Sequence, residues 1–304
     1  MNEARTIAEK NEWISGISLL KQKVTDYNQL IKTRLTVLVV FSAVITYLTA
    51  STGSTINWFE VMILALGGTL VVGASNGINQ IIEKDFDKLM VRTANRPVAT
   101  KRMSSTEAGL ASLIMGISGV YLIAAFLNPL CGWLSLASLV SYAFIYTPLK
   151  RVSPISVFVG AFPGAFPPLL GWVAFTGSIT TEAIIFFGVQ FFWQFPHFWS
   201  IAWILDDDYK RAGFKMLPVY GRNKKSAFQV LIFTSMLLPV GLLPFVEGYT
   251  GLVSALVCIA GAGLLIWYAL KLYRSCENAD AKKLMFASFF YLPLVQIAYL
   301  IDKI

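Results

Sequence analysis

Apolar runs close to 20 residues long recur from one end of this chain to the other, separated by short polar stretches. They fall at about 35–51, 58–80, 107–127, 129–147, 153–176, 183–205, 227–246, 250–270 and 284–301. A helix needs roughly 20 apolar residues to cross ~30 Å of hydrocarbon. The pattern therefore predicts an all-α polytopic membrane protein with about nine transmembrane helices. Local signals punctuate it. Ser104-Ser105-Thr106-Glu107 has the form of a capping box opening the third run, and Asn128-Pro129 leaves room only for a tight turn before the fourth. The fifth carries Gly160-Ala161-Phe162-Pro163-Gly164-Ala165-Phe166-Pro167-Pro168, small residues and prolines that permit close helix approach and kinks.

Composition agrees: the 304 residues are 56% hydrophobic and 14% charged, with a mean hydropathy of +0.63. Soluble domains carry about 25% charged residues, so an ordinary soluble fold is excluded. Residues 1–34 form a polar N-terminal arm, and 35–304 a single transmembrane domain. The arm holds Glu3, Glu9 and Glu12 and no apolar core of a signal peptide, so it resembles neither a secretory signal nor an acid-poor transit peptide. Leu19, Val24, Leu30 and Ile31 suggest an amphipathic helix lying on the membrane surface. Cys131, Cys258 and Cys276 are scattered and form no C-x-x-C pair, which reads as ordinary packing or surface residues.

Charge sets the orientation. Of the 25 Lys and Arg, all but Lys303 lie in the arm or in the loops after the second, fourth, sixth and eighth runs. The opposite loops at 51–57, 177–181 and 247–249 carry none. The positive-inside rule then puts the N-terminus in the cytoplasm and the C-terminus outside. The net charge of +8 reflects that topology and any anionic ligand; it is no argument for nucleic acid.

Four constellations carry candidate chemistry. The first is Asn79/Glu83/Asp87 at i, i+4 and i+8, three oxygen-bearing side chains within roughly 80° of one helix face. Asp85 points the other way. Oxygens so grouped suit a hard cation such as Mg²⁺, especially one shared with phosphates. Arg92 and Arg96 follow in Arg92-Thr93-Ala94-Asn95-Arg96-Pro97 and could grip a diphosphate. The plainer reading is a solvated helix end with local pairs such as Asp85 with Lys88. The second constellation is Asp206-Asp207-Asp208-Tyr209-Lys210-Arg211, either a second half of the cation and diphosphate site or a helix end turning into a wet loop. The third is Gln194-Phe195-Pro196-His197-Phe198-Trp199. Its His197 is the single histidine of the chain, set among Phe191, Phe192, Trp193, Trp199 and Trp203. Imidazole suits iron in a macrocycle, and aromatic walls suit a planar guest or an allylic cation; a hydrogen-bonded core histidine in ordinary packing is the bland alternative. The fourth is Tyr146-Thr147-Pro148-Leu149-Lys150-Arg151, whose bases either join the diphosphate grip or merely signal topology.

Several of these runs together resemble the UbiA-type intramembrane prenyltransferases and, more narrowly, the members that farnesylate protoheme IX. They are Asp26-Tyr27 with Lys32-Thr33-Arg34; Asn79 to Asp87 with Met90-Val91-Arg92-Thr93-Ala94-Asn95-Arg96-Pro97; Tyr146 to Arg151; Pro196-His197-Phe198-Trp199; and Asp207-Asp208-Tyr209 with Met216-Leu217-Pro218. The sequence departs from that group at Glu83, commonly Asp, and at Thr33, often Pro. Ile204 stands four before Asp208, so the second acidic motif is no clean D-x-x-x-D, and which of Asp206, Asp207 and Asp208 meets metal stays open.

The resemblance implies a nine-helix bundle with an active-site cavity facing the cytoplasm. It implies transfer of farnesyl from farnesyl diphosphate to the 2-vinyl group of protoheme IX (heme b), giving heme O and diphosphate. It places Mg²⁺ on Asn79, Glu83, Asp87 and Asp208, with Asp207 also catalytic, and the diphosphate on Arg92, Arg96, Lys150 and Arg151. His197 becomes a candidate heme ligand, with a structural hydrogen bond at the helix kink as the competing role. The implied setting is a bacterial inner membrane, with a downstream heme A synthase or oxidase assembly receiving the product. A relative acting on a quinone precursor or chlorin would keep the acids but not need Pro196-His197-Phe198-Trp199. A transporter would place its site near the midplane between broken helices, where this sequence has almost no charge.

Overall fold

Inside hydrocarbon every backbone N–H and C=O must find a partner within the protein, and the spans here answer that with helix. The computed structural model describes residues 18–51 and 53–304; expectations for the first 17 residues of the arm lie outside them. From 18 to 31 the arm is helical (α1), with Leu19, Leu20 and Val24 exposed and Leu30 buried. The bundle follows as α2 (Thr33–Ala50), α3 (Trp58–Asp87), α4 (Ser105–Phe126), α5 (Pro129–Val140), α6 (Thr147–Val152), α7 (Ser156–Thr176), α8 (Thr181–Ile204), short α9 (Asp206–Arg211), α10 (Lys224–Ser235), α11 (Leu237–Val246), α12 (Leu252–Ser275) and α13 (Asn278–Ile301). A π-helical turn, Ser141–Tyr146, joins α5 to α6, and α10 runs into α11, so each pair makes one span.

Among the described residues, and with each of those pairs counted as one, eight spans are long and apolar enough to cross a membrane. The sixth expected span, α8, has 24 residues. Gln190, Gln194 and His197 lower its apolarity, and it packs inside the bundle against α7, α10, α11 and α13. With α8 as ninth member, α13 packs back onto α2 and closes the ring. One apolar cluster lies around α8, α10, α12 and α13, another around α2, α3, α5 and α7, and Trp172 and Phe187 pack against both.

The expected caps are present with one variation. Ser104 accepts from the Glu107 N–H at 3.0 Å, but the Glu107 carboxylate turns to Lys23 at 2.7 Å instead of back to the cap. Asn128 accepts from the Cys131 N–H at 2.9 Å, with Pro129 opening α5. In α7 the prolines cannot donate to the carbonyl four residues back. Pro167 thereby releases the Pro163 carbonyl, which takes the Ser138 hydroxyl at 3.3 Å, and Pro168 releases that of Gly164, which takes the Gln190 amide at 2.7 Å. Gly171 lets α2 cross tightly, for a Cβ there would land on the Ala43 carbonyl.

Candidate active site

The last turns of α3 carry Asn76, Asn79, Gln80, Glu83 and Asp87 on a stripe roughly 100° wide, and all five are buried. Two of them close α1. Helix ends leave orphan carbonyls, and here the Gln80 amide donates to Gln29 O at 2.9 Å and Leu30 O at 3.0 Å, while Asn76 donates to Ile31 O at 3.1 Å. The chain then passes through Lys32 in the left-handed conformation (φ 51°, ψ 57°), unusual for a non-glycine residue. That turn brings Lys32 Nζ to 3.4 Å from Asn79 Oδ1.

The other three polar residues of the stripe meet further bases. Arg96 Nη1 sits 2.8 Å from both Asp87 carboxylate oxygens and 3.9 Å from Glu83. Lys150 Nζ donates to Glu83 Oε1 at 2.8 Å, and Asn79 Nδ2 to Thr147 Oγ1 at 3.2 Å. The π turn widens the helix before α6 and is closed by the Thr147 hydroxyl on Tyr142 O at 2.9 Å. Such turns often mark functional sites. Here the turn leads into the short helix carrying Lys150, whose ammonium lies 4.6 Å above the Tyr146 ring. Arg92 is exposed at the rim, close enough for its charge to act on Lys32. Burial first, then the positive neighbours Arg96 and Lys150, hold the Lys32 ammonium well below the usual lysine range. Two carboxylates thus sit among four basic side chains, more donors than the carboxylates use and an arrangement suited to a polyanion.

Arg151 is placed differently: it is exposed, with its guanidinium 4.1 Å from the Phe86 ring centre. The α9 acids are engaged locally. Asp206 is buried against Lys210 at 2.6 Å and Arg222 at 3.3 Å; exposed Asp207 pairs with Arg222, and Asp208 with Arg211. The Arg222 partner holds the Asp207 carboxyl below its ordinary range. The segment after α9 nevertheless lies beside the first cluster. Phe214 is 6.0 Å from Phe86, and the Lys215 N–H donates to Lys150 O at 2.7 Å. Asp85 pairs with Lys88 at 2.7 Å, away from the buried stripe.

His197 faces α13. Its Nδ1 is 2.9 Å from Ser288 Oγ, Trp193 stacks on the ring at 4.6 Å, and Phe289 meets it edge-on at 4.6 Å. The other α8 aromatics are used in packing: Phe191 and Phe195 meet Phe158, and Phe195 and Trp199 meet Phe233. Beside the acid cluster, Tyr146 and Phe214 lie near Lys150, and Phe86 near Arg151.

A family model for the UbiA prenyltransferases matches residues 38–292. The chain belongs to this family. It is 47% identical over 281 residues to a protoheme IX farnesyltransferase of Cytophaga hutchinsonii, covering 91% of this chain and 97% of that one. It is 44% identical to the protein of the same name from Flavobacterium johnsoniae, over 93% and 96% of the two chains. Its fold is similar to that of a digeranylgeranylglyceryl phosphate synthase (TM-score 0.78, 19% identity, 92% and 98% covered). It is also similar to a UbiA homolog from Archaeoglobus fulgidus bound to GPP and Mg²⁺ (TM-score 0.63, 15% identity, 90% and 99% covered).

Against this UbiA background the first motif can be tested as a metal holder. Asn79, Glu83 and Asp87 offer hard oxygens on one buried stripe, the donor class that Mg²⁺ takes. Among the described residues no three His, Cys, Asp or Glu side chains converge on a point by themselves; Lys150 and Arg96 hold the two carboxylates of this motif. The donors fit in kind, and the bases beside them are those a diphosphate would draw. Motif reading missed Asn76 and Gln80 and, though Lys32 and Thr147 fall within the quoted runs, gave those two no role at the site. The i, i+4 spacing of Asn76 and Gln80, on the face already marked by Glu83, was the available signal; Lys32 needed the turn itself.

Proposed function

We propose that this UbiA prenyltransferase transfers the farnesyl group of farnesyl diphosphate to the 2-vinyl group of protoheme IX, forming heme O and releasing diphosphate. The carrying observation is the buried stripe of Asn79, Glu83 and Asp87 ringed by Lys32, Arg92, Arg96 and Lys150, in a chain 47% identical to a protein of that name. Lys150 and Arg96 turn from the carboxylates to the diphosphate oxygens and stabilise the charge that develops as the C1–O bond breaks. Lys32 and Arg92 add to that grip. Asn79, Glu83 and Asp87, with Asp208 or a neighbouring α9 acid, would hold Mg²⁺, which when bound neutralises the leaving diphosphate. Tyr146 and Phe214 line the approach and favour an allylic cation over water. The vinyl carbon forms the new C–C bond, and water adds to the resulting cation beside the porphyrin, losing a proton to give the hydroxyl. His197 orients heme through its iron. The basic loops support a cytoplasmic position for this end of the bundle, in a bacterial inner membrane from which the product passes to heme A synthesis or oxidase assembly. Purified protein given heme b, farnesyl diphosphate and Mg²⁺ should yield heme O by mass, and none in EDTA. A prenylated quinone precursor in place of heme O would overturn the acceptor.

A further inference from the structure

Ser288 lies on α13 opposite His197, and its hydroxyl is 2.7 Å from the Met285 carbonyl oxygen and 2.9 Å from His197 Nδ1. A carbonyl oxygen only accepts, and a hydroxyl has one proton to donate. That proton goes to Met285, so Ser288 accepts from His197 and Nδ1 carries the hydrogen. In the neutral ring the lone pair then sits on Nε2. This nitrogen takes no hydrogen bond from the described residues, and it is not among the sealed side-chain atoms that lack a partner. The ring cannot turn over freely, because Trp193 stacks on its face at an interplanar angle of 15° and Phe289 abuts its edge. Trp193 is itself held, its indole N–H donating to Ser288 O at 2.7 Å. One α13 residue thus fixes both the imidazole tautomer and the indole beneath it.

We infer that Ser288 is a positioning residue for the acceptor: it holds His197 with Nε2 bare and directed to the iron of a planar tetrapyrrole. The inference rests on the proposed heme reading of His197 and adds to it the group that makes ligation possible. Iron takes a neutral imidazole through its unprotonated nitrogen, and the acceptor on the other nitrogen orients the ring and raises its basicity.

Because the chain has a single histidine, [¹⁵N]histidine labelling reports one ring. Nitrogen NMR of the detergent-solubilised protein should show Nδ1 protonated and Nε2 bare. Ser288→Thr should preserve that state, and Ser288→Ala should mix the tautomers. Ferrous heme b bound to the protein should show an iron–histidine stretching band that Ser288→Ala shifts, with heme affinity about 10-fold lower or worse and Ser288→Thr restoring both. Unchanged pyrophosphate affinity controls for folding. An Nε2-protonated ring in the wild type overturns the inference without any variant, as does a Ser288→Ala protein with an unaltered band. A different result, His197→Ala leaving the heme spectrum intact, would refute the ligation itself while the tautomer measurement still stood.

Discussion

Asp87 and Glu83 are buried carboxylates, and each is tolerable only because a base shares its burial. Desolvating such a pair costs nearly as much as its attraction returns, whereas removing one partner leaves a bare buried charge. Arg96→Leu should therefore destabilise the protein by about 3–5 kcal/mol. Adding Asp87→Leu should recover most of the loss in a thermal melt, though neither protein should turn over. A pair so neutral for stability is better explained by the ligand that separates it. Lys32 makes the complementary case. Its left-handed backbone costs about 1–2 kcal/mol for a residue with a Cβ, and no carboxylate lies within ion-pairing distance among the described residues. Lys32→Gly should melt no lower than the wild type, yet raise KM for farnesyl diphosphate by about 10- to 150-fold, as expected for a lost charge-assisted hydrogen bond of roughly 1.5–3 kcal/mol. An unchanged KM would remove Lys32 from the diphosphate grip.

Helix α7 shows how one element is completed by its neighbours. Its prolines free the carbonyls of Pro163 and Gly164, and hydrocarbon offers nothing to satisfy them. Ser138 of α5 and Gln190 of α8 supply the missing donors, so three helices are locked at one level of the bundle. Gln190→Leu should cost about 1–3 kcal/mol by stranding the Gly164 carbonyl. Pro168→Ala in that background should recover part of it, because residue 168 then brings its own N–H; melting of the single and double variants measures the coupling. Without recovery, the loss would lie instead in the contacts of Gln190 with Ser42 and Gln296. These amides also explain why α8 is the least lipid-like of the long helices. It serves as an interior post, and its polarity is spent on neighbours.

At the scale of the molecule, alternation of the helices gathers α1, the ends of α3, α6 and α8, and the start of α10 at one end, while Tyr249 and Lys303 lie at the other. Cys276 offers a native test of which end faces the cytoplasm. It is partly exposed in the turn between α12 and α13, on the side of the acid cluster, while Cys131 and Cys258 are buried. A membrane-impermeant maleimide should label Cys276 in inverted vesicles and not in intact spheroplasts; the reverse pattern would invert the orientation proposed from the basic loops.

The nine spans, the charged face and the oxygens of Asn79, Glu83 and Asp87 were legible along the chain because length, apolarity and i, i+4 spacing are local properties of a helix. What those oxygens touch was not. Lys150 reaches Glu83 from 67 residues away, while Asp206 and Asp207 pair with Arg222 and Asp208 with Arg211, none of them sharing a base with Glu83 or Asp87. His197 likewise announced itself as a solitary imidazole among aromatics, but its tautomer depends on a serine on the last helix. Sequence alone determined which residues must be helical and which face would be polar. Only the packing of one helix against another decided which base meets which acid and which nitrogen is left bare, because a buried charge or donor takes its partner from whatever element the fold brings within 3 Å or so.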